Sequence, residues 1–307
     1  MKEKLKFNFW RDLSDEVKNR LKNFGYAIPS DLDLSNGSSK SLPDAVRAEK
    51  LFKHFCSVAA RRVPVINYNV CFSDLIASDA EKMKRCEFFK NAFASGIDVN
   101  HLISNKAKMV RQFKQENLDH MRSEWGIYHL HFDEKRTADL LFIYINGNSV
   151  YFLDILSHGS DTDDADLWCN RHLVEVIHSN WPEIIRRFVY TDLIADDLAY
   201  ESPDARKNSR DKNSNLWVRV SDGTVYMSLG GGFAADGSNF HVMRCVDQML
   251  SKIEEIELDV KAGYVNIRKQ LNFLDSDDLK LKLLFDENME PYIFNKKRKA
   301  RIYIHRE

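Results

Sequence analysis

Apolar residues recur at helical spacing through the first third of the chain and at alternate or continuous positions through its middle. Val46, Leu51, Phe52, Phe55 and Val58 fall on one face of a helix predicted over 44–62, which Pro64 stops. Ser14 predicts the cap of an earlier helix that Gly25 closes, and the Ser-, Asp-, Asn- and Gly-rich stretch 28–43 reads as a loop. Further helices are expected over 77–94, ending near Gly96, and over 105–122. The second of these has Ser104 as cap and Met109, Val110, Phe113, Leu118 and Met121 as its stripe. Residues 1–122 therefore form a mainly helical region.

The pattern changes at Trp125-Gly-Ile-Tyr-His-Leu-His-Phe132, where strand-like residues begin. Two apolar runs follow, 139–145 and 149–157, joined through Asn146-Gly147, a pair that tolerates the positive φ of a tight hairpin turn. A two-residue loop there pairs Ile143 with Val150, Leu141 with Phe152 and Asp139 with Asp154. Both faces of this hairpin are apolar, so it is expected to be covered on both sides. Helices follow over 165–179 and from Pro182, and 123–200 reads as a central antiparallel sheet with helices.

The almost wholly polar 201–215 reads as a linker or surface loop. Beyond it, 216–221 and 224–229 form a second hairpin on Asp222-Gly223. Gly230-Gly231-Gly232 leads into a long helix with Ser238 as cap. Its stripe is Val242, Met243, Val246, Met249, Leu250, Ile253 and Ile256. Strands over 279–285, 292–294 and 300–305 complete a C-terminal unit, 216–307. The fold class is α+β: a helical N-terminal region, a central antiparallel sheet and a C-terminal hairpin-helix-strands unit.

Composition changes this picture little. In 307 residues, 44% are hydrophobic and 30% charged, and the formal net charge is −1, which gives no bulk attraction for nucleic acid but leaves room for a local basic patch. No apolar run approaches the ~20 residues of a membrane span, and the N-terminus has charges without an apolar signal core. A cytoplasmic protein without membrane association is the expectation. Five scattered cysteines, none in a Cys-x-x-Cys pair, point to reduced thiols rather than a disulfide framework or zinc ribbon.

The candidate chemistry lies in the central strands. His129 and His131 share one face of a strand, two residue rises apart, a spacing that suits joint contact with a phosphate or a metal. If Phe132 pairs with Asp139, these imidazoles lie on the face of Phe142, Tyr144 and Tyr151. A slip of one residue brings them to Asp139 and Asp154, and the cost of two directly opposed carboxylates favours that second register. His158 stands where the strand bearing Asp154 leaves toward Gly159, a common position for working side chains.

The set His129, His131 and His158, with Asp154 as orienter, is suited to taking the 2′-hydroxyl proton of RNA and protonating the leaving oxygen. No cofactor is expected in that reading. The same residues are suited to a divalent ion such as Zn²⁺ or Mn²⁺ in a metal-dependent hydrolase. Lys296, Lys297, Arg298 and Lys299 are the candidate grip on an RNA backbone. Gly230-Gly231-Gly232 lacks the Gly-Lys-Ser/Thr of a phosphate loop and reads as a flexible strand-to-helix turn.

The order helix, strand 127–132, strand 140–145, strand 150–155 resembles the sheet of RelE/ParE-type toxins, over about 35 residues. The resemblance implies a toxin-like or phage-defence endoribonuclease. It carries no catalytic position across, since those toxins commonly use Arg or Lys where this chain has His129 and His131. Arg171 and His178, seven apart, resemble the Arg-x4–6-His spacing of HEPN-type ribonucleases. The alternative implied by the same setting is a non-catalytic interaction module with a protein partner, an antitoxin or a defence-complex subunit.

Overall fold

The computed structural model describes residues 5–26, 28, 32, 42–103, 119–135, 137–157, 165–191, 202–273 and 278–302. Along them run β1 (Leu5–Lys6), α1 (Phe9–Asn23), α2 (Asp44–Ala59), β2 (Asn69–Phe72), α3 (Asp74–Ala77), α4 (Ala80–Ala94) and α5 (His120–Trp125). Next come β3 (Ile127–His131), β4 (Asp139–Asn146), β5 (Ser149–Ser157), α6 (Ala165–Cys169), α7 (His172–Asn180), α8 (Pro182–Ile185) and α9 (Pro203–Asp211). The last are β6 (Val218–Arg219), β7 (Val225–Tyr226), α10 (Phe240–Ala262), α11 (Tyr264–Gln270), β8 (Leu279–Lys280), β9 (Lys282–Phe285), β10 (Pro291–Asn295) and β11 (Ala300–Ile302). The fold is α+β, and no helix among the described residues is long and apolar enough to cross a membrane.

The described residues divide into two compact units, one holding those up to Ser57 and from Val242 onward, the other Val58–His241. The expected helical region 1–122 is thus shared between them, and the C-terminal strands belong with the first helix. In the first unit β1 pairs in parallel with β8, Leu5 beside Leu279. Helix α1 buries Phe9, Leu13, Val17 and Leu21, and its Asp12 carboxylate accepts the Leu283 N–H of β9 at 2.9 Å. Asn8, not Ser14, caps this helix, accepting from the Arg11 N–H. Ser14 lies buried one turn in and donates to the Trp10 carbonyl. Strands β9, β10 and β11 form an antiparallel sheet with Leu283, Ile293 and Ile302 in one buried row.

The second unit is built on a four-stranded sheet, ordered β2-β5-β4-β3. Three strands are antiparallel as expected, and β2, a four-residue strand inside the stretch read as helical, adds in parallel to β5 and makes the sheet mixed. Both faces are covered. Leu130, Leu141, Ile143, Val150 and Phe152 pack with Phe89 and Phe93 of α4 on one side. Ile127, Leu140, Phe142, Tyr144 and Leu153 pack with Trp125, Leu173, Val174 and Ile177 on the other.

The hairpin register differs from that expected. Asn146 pairs with Ser149 across a Gly147-Asn148 loop, Gly147 taking φ +57°, so Ile145 faces Val150 and Ile143 faces Phe152. A bulge between Phe142 and Ile143 then adds a residue to β5, and Phe142 faces Asp154 while Asp139 faces Ser157. The two carboxylates are never opposed, which removes the reason for the slipped β3–β4 register. His131 pairs with Leu140 and His129 with Phe142, the register that keeps both imidazoles on the face of Phe142 and Tyr144.

The polar stretch 201–215 is not a loop: Pro203–Asp211 form α9, capped by the Ser202 hydroxyl, with Arg206 and Arg210 buried. Their guanidiniums meet both oxygens of buried Glu124, Arg210 Nε at 2.5 Å from Oε2, and both lie over the Trp125 ring. A charged helix is held here because its charges are matched inside.

The triple glycine serves close backbone approach. Gly230 N–H donates to the Glu124 carbonyl and Gly232 N–H to that of Ser123, and a Cβ on Gly230 would sit 2.4 Å from the Arg122 carbonyl oxygen. The helix expected over 105–122 lies outside the described residues except for its end, where α5 begins at His120. The predicted helix 165–179 is two helices, α6 and α7, separated at Asn170 and Arg171.

Candidate acid–base site

Asp154 is the centre of the site. The bulge places it opposite Phe142, and β2 stops at the Phe72–Phe152 pair, so Asp154 stands on an edge of β5 that no strand among the described residues covers. Helices reach it from two directions. Lys82 of α4 donates from Nζ to Oδ1 at 2.7 Å, and His172, the first residue of α7, lies with Nε2 3.0 Å from Oδ2. The Ile155 N–H donates to Oδ1 at 2.8 Å.

Burial alone would raise the pKa of Asp154. The bonds from His172, Lys82 and the Ile155 N–H outweigh it and hold the carboxyl below its ordinary value. The side chain of Asp154 is 5% exposed, while that of His172 is 40% exposed. A buried carboxylate thus grips one nitrogen of an imidazole that solvent reaches. With the carboxylate accepting at Nε2, the proton is fixed there and Nδ1 is the basic nitrogen.

His129 and His131 lie side by side on β3, ring centroids 6.3 Å apart, as expected from strand alternation. His129 is half-buried, with the Trp168 ring 4.9 Å and the Phe142 ring 6.3 Å away, and those two rings are 6.0 Å from each other. His131 is buried, its Nδ1 3.4 Å from the Thr137 carbonyl oxygen. Phe142 intervenes between His129 and Asp154, which are two strand spacings, about 10 Å, apart. The structure therefore groups His129 with His131 and pairs Asp154 with His172 and Lys82. His158 lies outside the described residues.

Asp139 is engaged elsewhere. Ser157 donates its hydroxyl to it and Arg85 lies 2.8 Å away, and both bonds hold its carboxyl below the ordinary value. Arg171 and His178 serve the neighbouring hairpin. Arg171 donates to the Arg219 carbonyl, and His178 bridges the Tyr226 hydroxyl at 2.8 Å and Asp222 at 3.1 Å. Lys296, Lys297, Arg298 and Lys299 form the turn between β10 and β11 in the other unit, all four exposed.

Among the described residues, no three His, Cys, Asp or Glu side chains gather as a metal-holding group. The site residues that sequence reasoning missed are Lys82 and His172. Their only signal was the Asp154 carboxylate, whose place on a doubly covered strand requires a charged or hydrogen-bonding partner. No protein-family profile, curated protein or solved structure matches the chain.

Proposed function

We propose that this protein is a toxin-like or phage-defence endoribonuclease that cleaves RNA by acid–base chemistry at the Asp154–His172 pair. The observation that carries this reading is the pairing of a buried carboxylate with a half-exposed imidazole at 3.0 Å. Such an imidazole is oriented by its carboxylate, which leaves the other ring nitrogen to accept the proton that is abstracted. His172 Nδ1 takes the proton of a ribose 2′-hydroxyl, and the oxygen attacks the adjacent phosphorus. The bond to the 5′ oxygen breaks, leaving a 2′,3′-cyclic phosphate. Lys82 adds positive charge beside the reacting phosphate, and His129, on the same sheet face, is assigned the proton for the departing oxygen. The resemblance of the sequence order helix, strand 127–132, strand 140–145, strand 150–155 to RelE/ParE-type toxins supports the toxin setting.

The test is cleavage of RNA by the full chain and by His172→Ala and Asp154→Asn, with and without chelator. The expected result is cyclic-phosphate ends that form in chelator, with a loss of roughly 10²–10⁴-fold in His172→Ala at an unchanged melting temperature. Absence of cleavage by the parent chain, or full activity in His172→Ala, refutes the assignment. Loss of activity in chelator alone moves it to a metal-dependent hydrolase.

A second reading, a protein-interaction module, is favoured by exposed Val65, Ile66 and Ile97, gathered where Gly96 lies against the Ile66 backbone. Co-purification of a protein partner that Ile97→Asp abolishes, without RNA cleavage by the parent chain, identifies it.

A further inference from the structure

The sheet of β9, β10 and β11 has two unlike faces. Its inner row, Leu283, Ile293 and Ile302, is buried, and α1 packs against β9. Alternation puts the next row outward: Lys282, Phe294 and Arg301 stand directly opposite one another across the three strands. Tyr292 shares that face two residues along β10, and the Arg301 guanidinium lies 4.2 Å from its ring centroid. Tyr292 and Phe294 are each half-buried, while Lys282 and Arg301 are exposed.

The β10–β11 turn extends the basic surface. Asn295 is buried and pins the turn, accepting the Arg298 N–H at 2.8 Å and donating to the Lys280 carbonyl at 2.8 Å. This presents Lys296, Lys297, Arg298 and Lys299, with Lys297 and Arg298 beside the Phe273 ring. Asp286, Glu287 and Glu290 occupy the turn at the opposite end of β10, and Glu290 is bonded to Lys252. Asp278, near Lys280, is paired with Lys6 at 2.5 Å. Asp12 lies 3.9 Å from Lys282.

We infer that this outer face is a binding platform for single-stranded RNA. Two aromatic rings on the middle strand offer stacking surfaces to successive bases, and the flanking Lys282, Arg301 and the basic turn follow the phosphates. A duplex keeps its bases stacked on each other and has no use for the rings, so the platform prefers the single strand. That the strand is RNA rests on the function proposed above; the platform does not.

The test is fluorescence anisotropy with a labelled 12-nucleotide single-stranded RNA, its duplex and the same sequence as DNA, using His172→Ala so that binding is read without cleavage. Tyr292→Leu and Phe294→Leu keep the apolar volume but remove the rings, and Lys282→Gln with Arg301→Gln remove the flanking charges. The platform predicts that each ring variant weakens single-strand binding about tenfold and leaves duplex binding unchanged. The charge variants flatten the salt dependence by roughly one ion per residue removed. Unchanged affinity in both ring variants, with melting temperatures that show folded protein, overturns the platform, as does equal binding of the duplex. Preference for the DNA strand overturns the RNA assignment alone. Binding without cleavage by the parent chain leaves the platform standing and removes the nuclease; cleavage with unaltered binding in all four variants does the reverse.

Discussion

Glu124 and Arg210, 86 residues apart in sequence, meet at 2.5 Å with almost no exposed surface on either side chain. Arg206, fully buried, takes the other carboxylate oxygen and also donates to the Trp217 carbonyl at 2.7 Å. Two guanidiniums around one carboxylate are sustained by these carbonyls and by the Trp125 ring. Removing the carboxylate charge leaves two buried cations without their counterion. Glu124→Gln is expected to lower the unfolding free energy by about 3–5 kcal/mol in urea titrations. A loss below about 1 kcal/mol contradicts this account of α9.

Asp154 makes stability depend on acid. Its pKa lies below the ordinary 3.8 in the folded chain, so the folded state holds the charged form more tightly than the unfolded state does. That contribution is complete above the unfolded value, and falls away as pH drops through the depressed folded value. Urea midpoints of the parent and Asp154→Asn chains, followed from pH 7 downward, are therefore expected to keep a constant gap to about pH 5 and to converge below about pH 4. A gap that widens on acidification contradicts the bond pattern at Asp154.

Two glycines predict contrasting costs. A Cβ on Gly230 meets backbone atoms of Arg122, Ser123 and Gly126 at 2.4–2.6 Å, whereas one on Gly147 meets nothing within 4 Å and is disfavoured only by its φ of +57°. Gly230→Ala is expected to cost about 3 kcal/mol, because backbone must move. Gly147→Ala is expected to cost about 1 kcal/mol, the ordinary penalty of a left-handed alanine. Thermal unfolding of the two variants ranks them, and equal losses count against the Gly230 contact.

The thiols are expected to separate by reactivity. Cys86, on α4, is buried in the core between that helix and the sheet, and its pKa is pushed up to about 12 by that burial, while Cys245 is exposed on α10. Iodoacetamide at neutral pH, followed by peptide mass analysis, is expected to label Cys245 in the native protein and Cys86 only after unfolding. Early labelling of Cys86 refutes the packing described around it.

The three central strands were legible because their side chains alternate and a Gly-containing turn joins two of them. Their register was not. The loop sits one residue later than the Asn-Gly pair suggests, and a bulge leaves no mark in a run of apolar residues. α9 was hidden for the opposite reason: Arg206 and Arg210 look like solvated polar residues until Glu124 is placed between them. The His129–His131 neighbourhood followed from strand geometry alone. His172 and Lys82 reach Asp154 from 18 and 72 residues away, where no local spacing applies.

Leu5 lies beside Leu279 in a parallel pair, so β1 finds its neighbour only after the residues that separate them have been made. Residues 58–241 are complete long before that moment. The nascent chain can therefore mature the unit of residues 58–241 early, while the unit that holds β1 and β8 waits for the second of those strands.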